Sequence, residues 1–243
     1  MINVGRYIQD YSLTKLPHSG ECDELGVPLF DPKSMGWDGE PCYHPTVVIQ
    51  HALAVYTRSN YLGMKTFNRC CEWLLSNLNE VEGVGLVWFI PFPIRTPRIQ
   101  SPWISALTQS QGASLLIRYA SQNNLAELKD TIKKILNPIS VSLNKGGLLF
   151  EGQKTEKFLE EAGDIHILNG CLTSIWGLLE FQKAFQDHTY WKVAEEVKVT
   201  VENWLPKYDT GYWSKYSLRL RYNLADLHYH RLHSQQLLEI GYE

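Results

Sequence analysis

The chain has 243 residues, of which 44% are hydrophobic, and this is enough apolar side chain to bury one substantial core. Its formal net charge of -3 excludes the basic surplus that general nucleic-acid binders carry, so no nucleic-acid partner is expected. Eight Trp and thirteen Tyr are a heavy aromatic load, and flat rings serve both protein cores and sugar-binding clefts.

The cysteines predict a reducing compartment, and the lengths of the apolar runs predict no membrane-spanning segment. Five cysteines are odd in number and form no C-x-x-C pair, which predicts free thiols rather than a disulfide framework. The N-terminal residues contain no continuous apolar segment with a cleavage site, and no apolar run has the length needed to cross a membrane. We therefore expect a cytoplasmic protein without membrane insertion.

Helical segments dominate the predicted secondary structure. Apolar residues recur with helical spacing at residues 45–61, 65–78, 103–121, 125–136, 165–185, 190–204 and in a last helix that ends at Ile240. Pro45 suits the first turn of its helix, whereas Pro138 ends the fourth.

Extended and irregular segments separate these helices. Residues 1–44 are rich in Gly and Pro, and they predict an irregular arm that opens with a short helix at 4–11. The apolar run 86–94 contains two prolines, which restrict it to an edge strand or an extended segment. Alternating apolar residues and a Gly-Gly turn predict a β-hairpin at 139–151.

The order of elements favours a mainly α fold. Helix pairs with short β excursions, without βαβ alternation, are typical of an α/α toroid, or incomplete α/α barrel, with small β-hairpin insertions. An ordinary helical bundle is the alternative. We predict an arm at 1–44 and a toroid at 45–243, whose inner helices would line a concave face.

The segment 216–236, YSLRLRYNLADLHYHRLHSQQ, contains many side chains that can bind a ligand or take part in catalysis. Tyrosine, arginine and histidine together offer stacking faces, hydrogen bonds and positive charge, which suit an anionic sugar and a proton transfer beside it. An aromatic-rich helix at the rim of a core is the structural alternative. The spacing of His228, His230 and His233 matches no known metal-ligand pattern, so no metal site is expected.

Four ordered blocks of residues carry a resemblance to a known family. They are GVPLF at 26–30 with YHPTVVIQHAL at 43–53, WISAL at 103–107 with Gln109, Gln111 and Arg118, FLEE at 158–161 with ILNG at 167–170, and YDTG at 208–211 with the segment 216–237. Together they resemble the C-terminal catalytic domain of the heparosan D-glucuronyl C5-epimerases. The family's acidic loop reads Glu-Glu-Tyr, whereas this chain has Ala162 at the tyrosine position, and the family's β-rich domain has no counterpart in these residues.

The resemblance implies inversion of D-glucuronate to L-iduronate at C5 in a polysaccharide or smaller glycan. Such a reaction removes a proton next to a carboxylate and returns one to the opposite face, so it needs two acid/base groups but no cofactor. By the resemblance, Tyr229 is one acid/base group, Glu161 is its opposite and Tyr216 is a supporting phenol. Arg219 or Arg221 is expected to lower the pKa of the phenol.

Substrate contacts are expected from five further positions. A guanidinium can hold a carboxylate with two hydrogen bonds, which makes Arg219 the first candidate. The other predicted contacts are His230, Gln109, Asn169 and Arg118. The two amides lie on inner helices, where they can instead bond one helix to another. The family also suggests a homodimer.

Two other functions stay open at this point. A uronate lyase begins with the same proton abstraction and then expels the substituent on O4. A non-catalytic glycan-binding module descended from the epimerases would account for Ala162. That module is favoured if Tyr229, Tyr216, Glu161 and Arg219 do not converge on one cleft.

Overall fold

The computed structural model describes residues 2–9, 20–35, 38–58, 61–93, 99–153, 155–220 and 223–241. Within these residues, seven α-helices and two small β-hairpins make a mainly α fold, which confirms the predicted class. The helices are α1 (Pro45–Thr57), α2 (Tyr61–Ser76), α3 (Ala106–Asn123), α4 (Leu128–Leu136), α5 (Leu168–Phe185), α6 (Trp191–Tyr208) and α7 (Leu227–Gly241). None of the described helices combines the length and the apolar character needed to span a membrane.

Helices α3 and α5 form the centre of the fold. Each has 18 residues and is buried along most of its length. Helix α3 packs on α1, α2 and α4, while α5 packs on α4, α6 and α7. The two central helices approach closely, because a Cβ on Gly177 of α5 would lie 2.7 Å from the Cβ of Ser110 on α3. Closure of the helices into a toroid stays a prediction.

The helix starts follow local sequence signals. Pro45 occupies the first turn of α1, as predicted, and the ring of the preceding His44 accepts the backbone N–H of Thr46. The Ser105 hydroxyl accepts the backbone N–H of Thr108 and caps α3. The start of α3 contacts the loop of residues 160–166, called the acidic loop below, because the N–H of Ala106 donates to the carbonyl of Glu160.

The two antiparallel hairpins are short. Strands β1 (Asn79–Val81) and β2 (Gly85–Val87) pair with Glu80 opposite Leu86. Strands β3 (Leu149–Glu151) and β4 (Lys157–Leu159) pair with Phe150 opposite Phe158. The second hairpin leads directly into the loop that carries Glu160 and Glu161.

The predicted hairpin at 139–151 is wrong in its first half. Pro138 lies in a 3₁₀ turn (Asn137–Ser140), where its fixed φ is acceptable, and a second 3₁₀ turn covers Leu143–Lys145. The chain then folds back so tightly that a Cβ on Gly147 would lie 2.0 Å from the carbonyl oxygen of Val141. Only Leu149–Glu151 forms a strand, and its partner β4 lies downstream.

The short helix predicted at 4–11 is also wrong over the described residues 2–9, which are irregular. Its apolar spacing has another cause, because Tyr7 and Ile8 are buried against the core. The backbone here is held by side chains from elsewhere, since Gly5 O accepts a hydrogen bond from Arg118 and Ile8 O accepts one from Gln235. Residues 10 and 11 lie outside the described residues.

Candidate active site

Glu161, Tyr216 and Tyr229 come together although they lie on three separate segments. The rings of Tyr216 and Tyr229 have their centroids 4.8 Å apart at 58°, and their hydroxyls are hydrogen-bonded. The charge of Glu161 raises the pKa of both phenols, so its carboxyl lies near enough to act on them electrostatically. The three groups predicted to exchange protons therefore share one site.

The backbone around Tyr216 is fixed to the start of α5. Its carbonyl accepts the N–H of Leu168 at 3.0 Å, and Ile167 and Ser217 form an antiparallel bridge. The buried Ser217 hydroxyl donates to the carbonyl of Ile165. These contacts join the closing segment of the chain to the end of the acidic loop.

Tyr229 is positioned by the first turn of α7. The carboxylate of Asp226 accepts the N–H of Tyr229 at 2.8 Å, as a capping aspartate does at a helix start. The sequence Ala-Asp-Leu before the helix is therefore the local signal that aims Tyr229. His233, four residues later on α7, is buried.

The acidic loop is built around a buried carboxylate next to Glu161. Glu160 is fully buried and accepts the N–H groups of Ile165 at 3.3 Å and of His166 at 3.0 Å. Its other oxygen lies 2.5 Å from Nδ1 of His166. His166 has a φ of +54°, an uncommon conformation for a residue other than glycine, and its carbonyl accepts the hydroxyl of Tyr208.

Glu161 is partly buried, with its carboxyl turned inward. Its Oε2 is buried and has no hydrogen-bond partner among the described residues. The side chain packs so closely on α5 that a Cβ on Gly170 would lie 2.3 Å from this oxygen. Burial, and then the charge of Glu160, raises the pKa of Glu161 to about 7. Near neutral pH, this carboxyl is therefore able both to accept and to donate a proton.

The two phenols hold their protons more firmly than an exposed tyrosine does. Burial, followed by the charge of Glu161, raises the pKa of Tyr216 and of Tyr229. The interaction between the two hydroxyls raises the pKa of Tyr216 and lowers that of Tyr229. The predicted lowering of a phenol pKa by Arg219 is therefore wrong, and Arg221 lies outside the described residues.

Arg219 instead forms an ion pair with Asp164. Its guanidinium donates to Asp164 of the acidic loop and lies 5.4 Å over the ring of Phe150. Both side chains of the ion pair are more than 40% exposed, at 45% and 42%. An ion pair this exposed contributes little free energy, so the guanidinium can exchange Asp164 for a carboxylate from solution.

Ala162, at the position of the family's tyrosine, is 2% exposed. It packs with Ile165 and Ile167 in a small apolar cluster against which Tyr216 and Trp103 also pack. This position of the loop therefore carries no hydroxyl group. The phenols next to Glu161 are instead those of Tyr216 and Tyr229.

Gln109 and Arg118 lie in the core, which corrects their prediction as substrate contacts. The fully buried amide of Gln109 accepts the N–H of Trp88 and donates to two backbone carbonyls. Arg118 is 2% exposed, pairs with Glu180 at 2.8 Å and donates to the carbonyls of Ser114 and Gly5. Their polar groups bond one segment to another.

Asn169 and His230 lie next to the cluster formed by Glu161, Tyr216 and Tyr229. Asn169 precedes Gly170 on α5, and its buried Oδ1 has no partner among the described residues. His230 follows Tyr229 but points to a neighbouring cavity, where its ring stacks on Trp213 at 4.1 Å. Consecutive helical residues point in directions about 100° apart, which separates these two side chains.

The loop also brings together three groups that the sequence did not single out as a cluster. Ligand atoms of Glu160, Asp164 and His166 lie within 4.8 Å of one another. Glu160 and His166 already bond to each other, and Asp164 is paired with the cationic Arg219, so these donors are engaged. The signal available in the sequence was the density of titratable residues in EEAGDIH.

Comparisons with known proteins identify the family of this chain. A sequence model of the family described as D-glucuronyl C5-epimerase C-terminus matches residues 86–242, which include every residue of the cluster. The chain is similar to the D-glucuronyl C5-epimerase of Caenorhabditis elegans, with 28% identity over 191 residues. That alignment covers 69% of this chain and 30% of the relative, so the chain spans about a third of that protein's length. The chain belongs to the D-glucuronyl C5-epimerase family and corresponds to its C-terminal region.

Proposed function

We propose that this protein inverts C5 of D-glucuronate residues to L-iduronate in a polysaccharide or oligosaccharide, without a cofactor. The observation that carries the proposal is the meeting of Glu161, Tyr216 and Tyr229 inside the region that the family shares. A half-ionised carboxyl and a protonated phenol are a suitable base and acid for a proton transfer at carbon.

The pKa values favour a division of roles. Because the pKa of Glu161 is about 7, a large fraction is carboxylate at neutral pH, and it is the better base for the C5 proton. Tyr229 keeps its proton until the carbanion forms, and it then donates that proton to the opposite face of the sugar ring. The hydroxyl of Tyr216 stabilises the resulting phenolate through its hydrogen bond. In the reverse reaction the two roles exchange.

Arg219 is proposed to bind the carboxylate of the reacting sugar. Removing the C5 proton places negative charge on this carboxylate, and a guanidinium stabilises that charge with two hydrogen bonds. The substrate carboxylate would replace Asp164, whose exposed ion pair with Arg219 contributes little free energy. The contact of Arg219 with Asp164, three residues after Glu161 in the chain, supports placing carboxylate binding close to proton abstraction.

Reaction in deuterated water tests the proposal directly. Glucuronate-containing oligosaccharides are incubated with the protein, and products are followed by NMR. A two-base mechanism incorporates solvent deuterium at C5 of the iduronate formed early in the reaction, while recovered glucuronate still carries mostly protium. A conjugated unsaturated product would identify a lyase instead. Absence of both exchange and elimination across several uronans would reject the enzymatic proposal.

A further inference from the structure

A second cavity lies beside the active-site cluster. It has a volume of about 730 Å³, is open to solvent and is lined by residues from the end of α6, the segment 209–214 and α7. This volume falls in the range of roughly 300–1,000 Å³ that small-molecule sites occupy. Among its described lining residues, none is Glu161, Tyr216, Arg219 or Tyr229. The cavity therefore requires an explanation separate from the proton transfer.

Aromatic side chains lie at this cavity. Tyr212 is 80% exposed, a fraction that no packing role accounts for. It lies in a turn in which the N–H of Gly211, with a φ of +89°, donates to the carboxylate of Asp209. The adjacent Trp213 is held by its stacking on His230 and by an indole hydrogen bond to the carbonyl of Ala225. A fixed turn thus presents a flat ring, which is the surface that sugar rings stack on.

Two histidines line the cavity and share one serine hydroxyl. The backbone N–H of Ser214 donates to Nδ1 of His230, so this nitrogen carries no proton and the Nε2 of that ring is a donor. The Ser214 hydroxyl lies between Nδ1 of His230 at 3.0 Å and Nδ1 of His233 at 2.9 Å. His233 is 2% exposed, and its Nε2 has no partner among the described residues. The Nε2 of His230, on a half-buried ring that lines the cavity, is the imidazole nitrogen that can donate to a ligand hydroxyl.

The charges around this cavity select against an anion. Its described lining includes the carboxylates of Glu202 and Asp209 but no Lys or Arg. Carboxylates accept hydrogen bonds from sugar hydroxyls, whereas they repel a uronate. The arrangement contrasts with the neighbouring cluster, where Arg219 supplies the positive charge that a uronate requires.

We propose that this cavity is a second carbohydrate site that binds an uncharged sugar ring. The ring stacks on Tyr212, and its hydroxyls bond to Glu202 and to the imidazole of His230. The site does not rest on the proposed epimerase activity, because none of its interactions involves proton transfer at carbon.

Calorimetric or NMR titration of the full chain with cellobiose and with N,N′-diacetylchitobiose tests this proposal. We expect at least one of these neutral disaccharides to bind with a Kd on the order of millimolar. Tyr212→Ala should raise that Kd about threefold to tenfold, because it removes the stacking face from an exposed position where folding is unaffected. Glu202→Gln should also weaken binding.

Two control variants separate this site from others. Trp191→Ala removes an exposed aromatic ring outside the cavity, and Tyr229→Phe alters the proton-transfer cluster, so neither should change the Kd. Failure of both disaccharides to bind saturably, an unchanged Kd in Tyr212→Ala, or a weakening of methyl glucuronoside binding by Tyr212→Ala would overturn the proposal. Neutral-sugar binding in a protein that shows no C5 exchange would reject the epimerase and leave this site standing.

Discussion

Glu161→Gln is expected to stabilise the folded protein at neutral and alkaline pH while it removes activity. Burial and the charge of Glu160 raise the pKa of Glu161 from an ordinary 4.5 to about 7, so the fold favours the protonated carboxyl. Glutamine has nearly the same shape and stays uncharged at every pH. The substitution therefore removes the cost of ionising a buried group, as is common where a site trades stability for chemistry.

The size and the sign of this effect follow from the two pKa values. The folded-state pKa of Glu161 lies above the unfolded one, so the protonated carboxyl favours the folded state. This contribution to stability is lost as the pH rises from 4.5 through about 7. The full difference corresponds to about 3 kcal/mol. Solvent reaches part of the side chain, so we expect a gain of about 1.5–3 kcal/mol for the variant above pH 7.

Urea unfolding at about pH 4.5 and about pH 8 measures this gain. The free energy of unfolding of Glu161→Gln should match the wild type at the lower pH and exceed it at the higher pH. Glu82→Gln, which alters an exposed carboxylate in the turn between β1 and β2, is the control and should show no such pH dependence. An equal effect at both pH values would show that the fold does not resist ionisation of Glu161.

Three further substitutions test the geometry. Asp164→Asn removes the intramolecular partner of the Arg219 guanidinium, so the KM for an anionic oligosaccharide should fall about twofold to fivefold in steady-state assays. An increase in KM would contradict the exchange of partners. Gly170→Ala places a Cβ within 2.3 Å of the Glu161 oxygen, and displacement of that carboxyl should lower kcat about tenfold or more, whereas unchanged kcat would mean that its position is not critical. Arg118→Met leaves the buried Glu180 without the guanidinium of Arg118, and it should lower the free energy of unfolding in urea by about 3–5 kcal/mol. A smaller loss would indicate that water reaches the pair.

The helical part of the fold could be predicted because local signals and burial agree there. Pro45 marks the start of α1, and the long apolar patterns of α3 and α5 correspond to helices buried along most of their length. The hairpin at 139–151 was predicted wrongly because alternation and a Gly-Gly pair are short-range signals. Which strand pairs with Leu149–Glu151 depends on tertiary contacts with the segment that follows it.

The candidate site could be predicted only in part. Tyr216, Tyr229 and Glu161 were found through a resemblance, and the structure brings them together. A polar residue on a buried helix, such as Gln109, has the same sequence pattern whether it faces a cleft or a neighbouring helix. The ion pair that engages Arg219 depends on the conformation of the acidic loop, which no periodicity encodes.

The measurement that tests the central claim most directly is iduronate formation by Tyr229→Phe. The variant keeps the ring that packs on Tyr216 and removes only the hydroxyl proposed to protonate C5. We expect the rate of iduronate formation to fall at least about 100-fold, the lower end of the contribution of a general acid, with an unchanged urea midpoint. Iduronate formation at the wild-type rate would contradict the assignment of Tyr229 as the acid and, with it, the two-base mechanism.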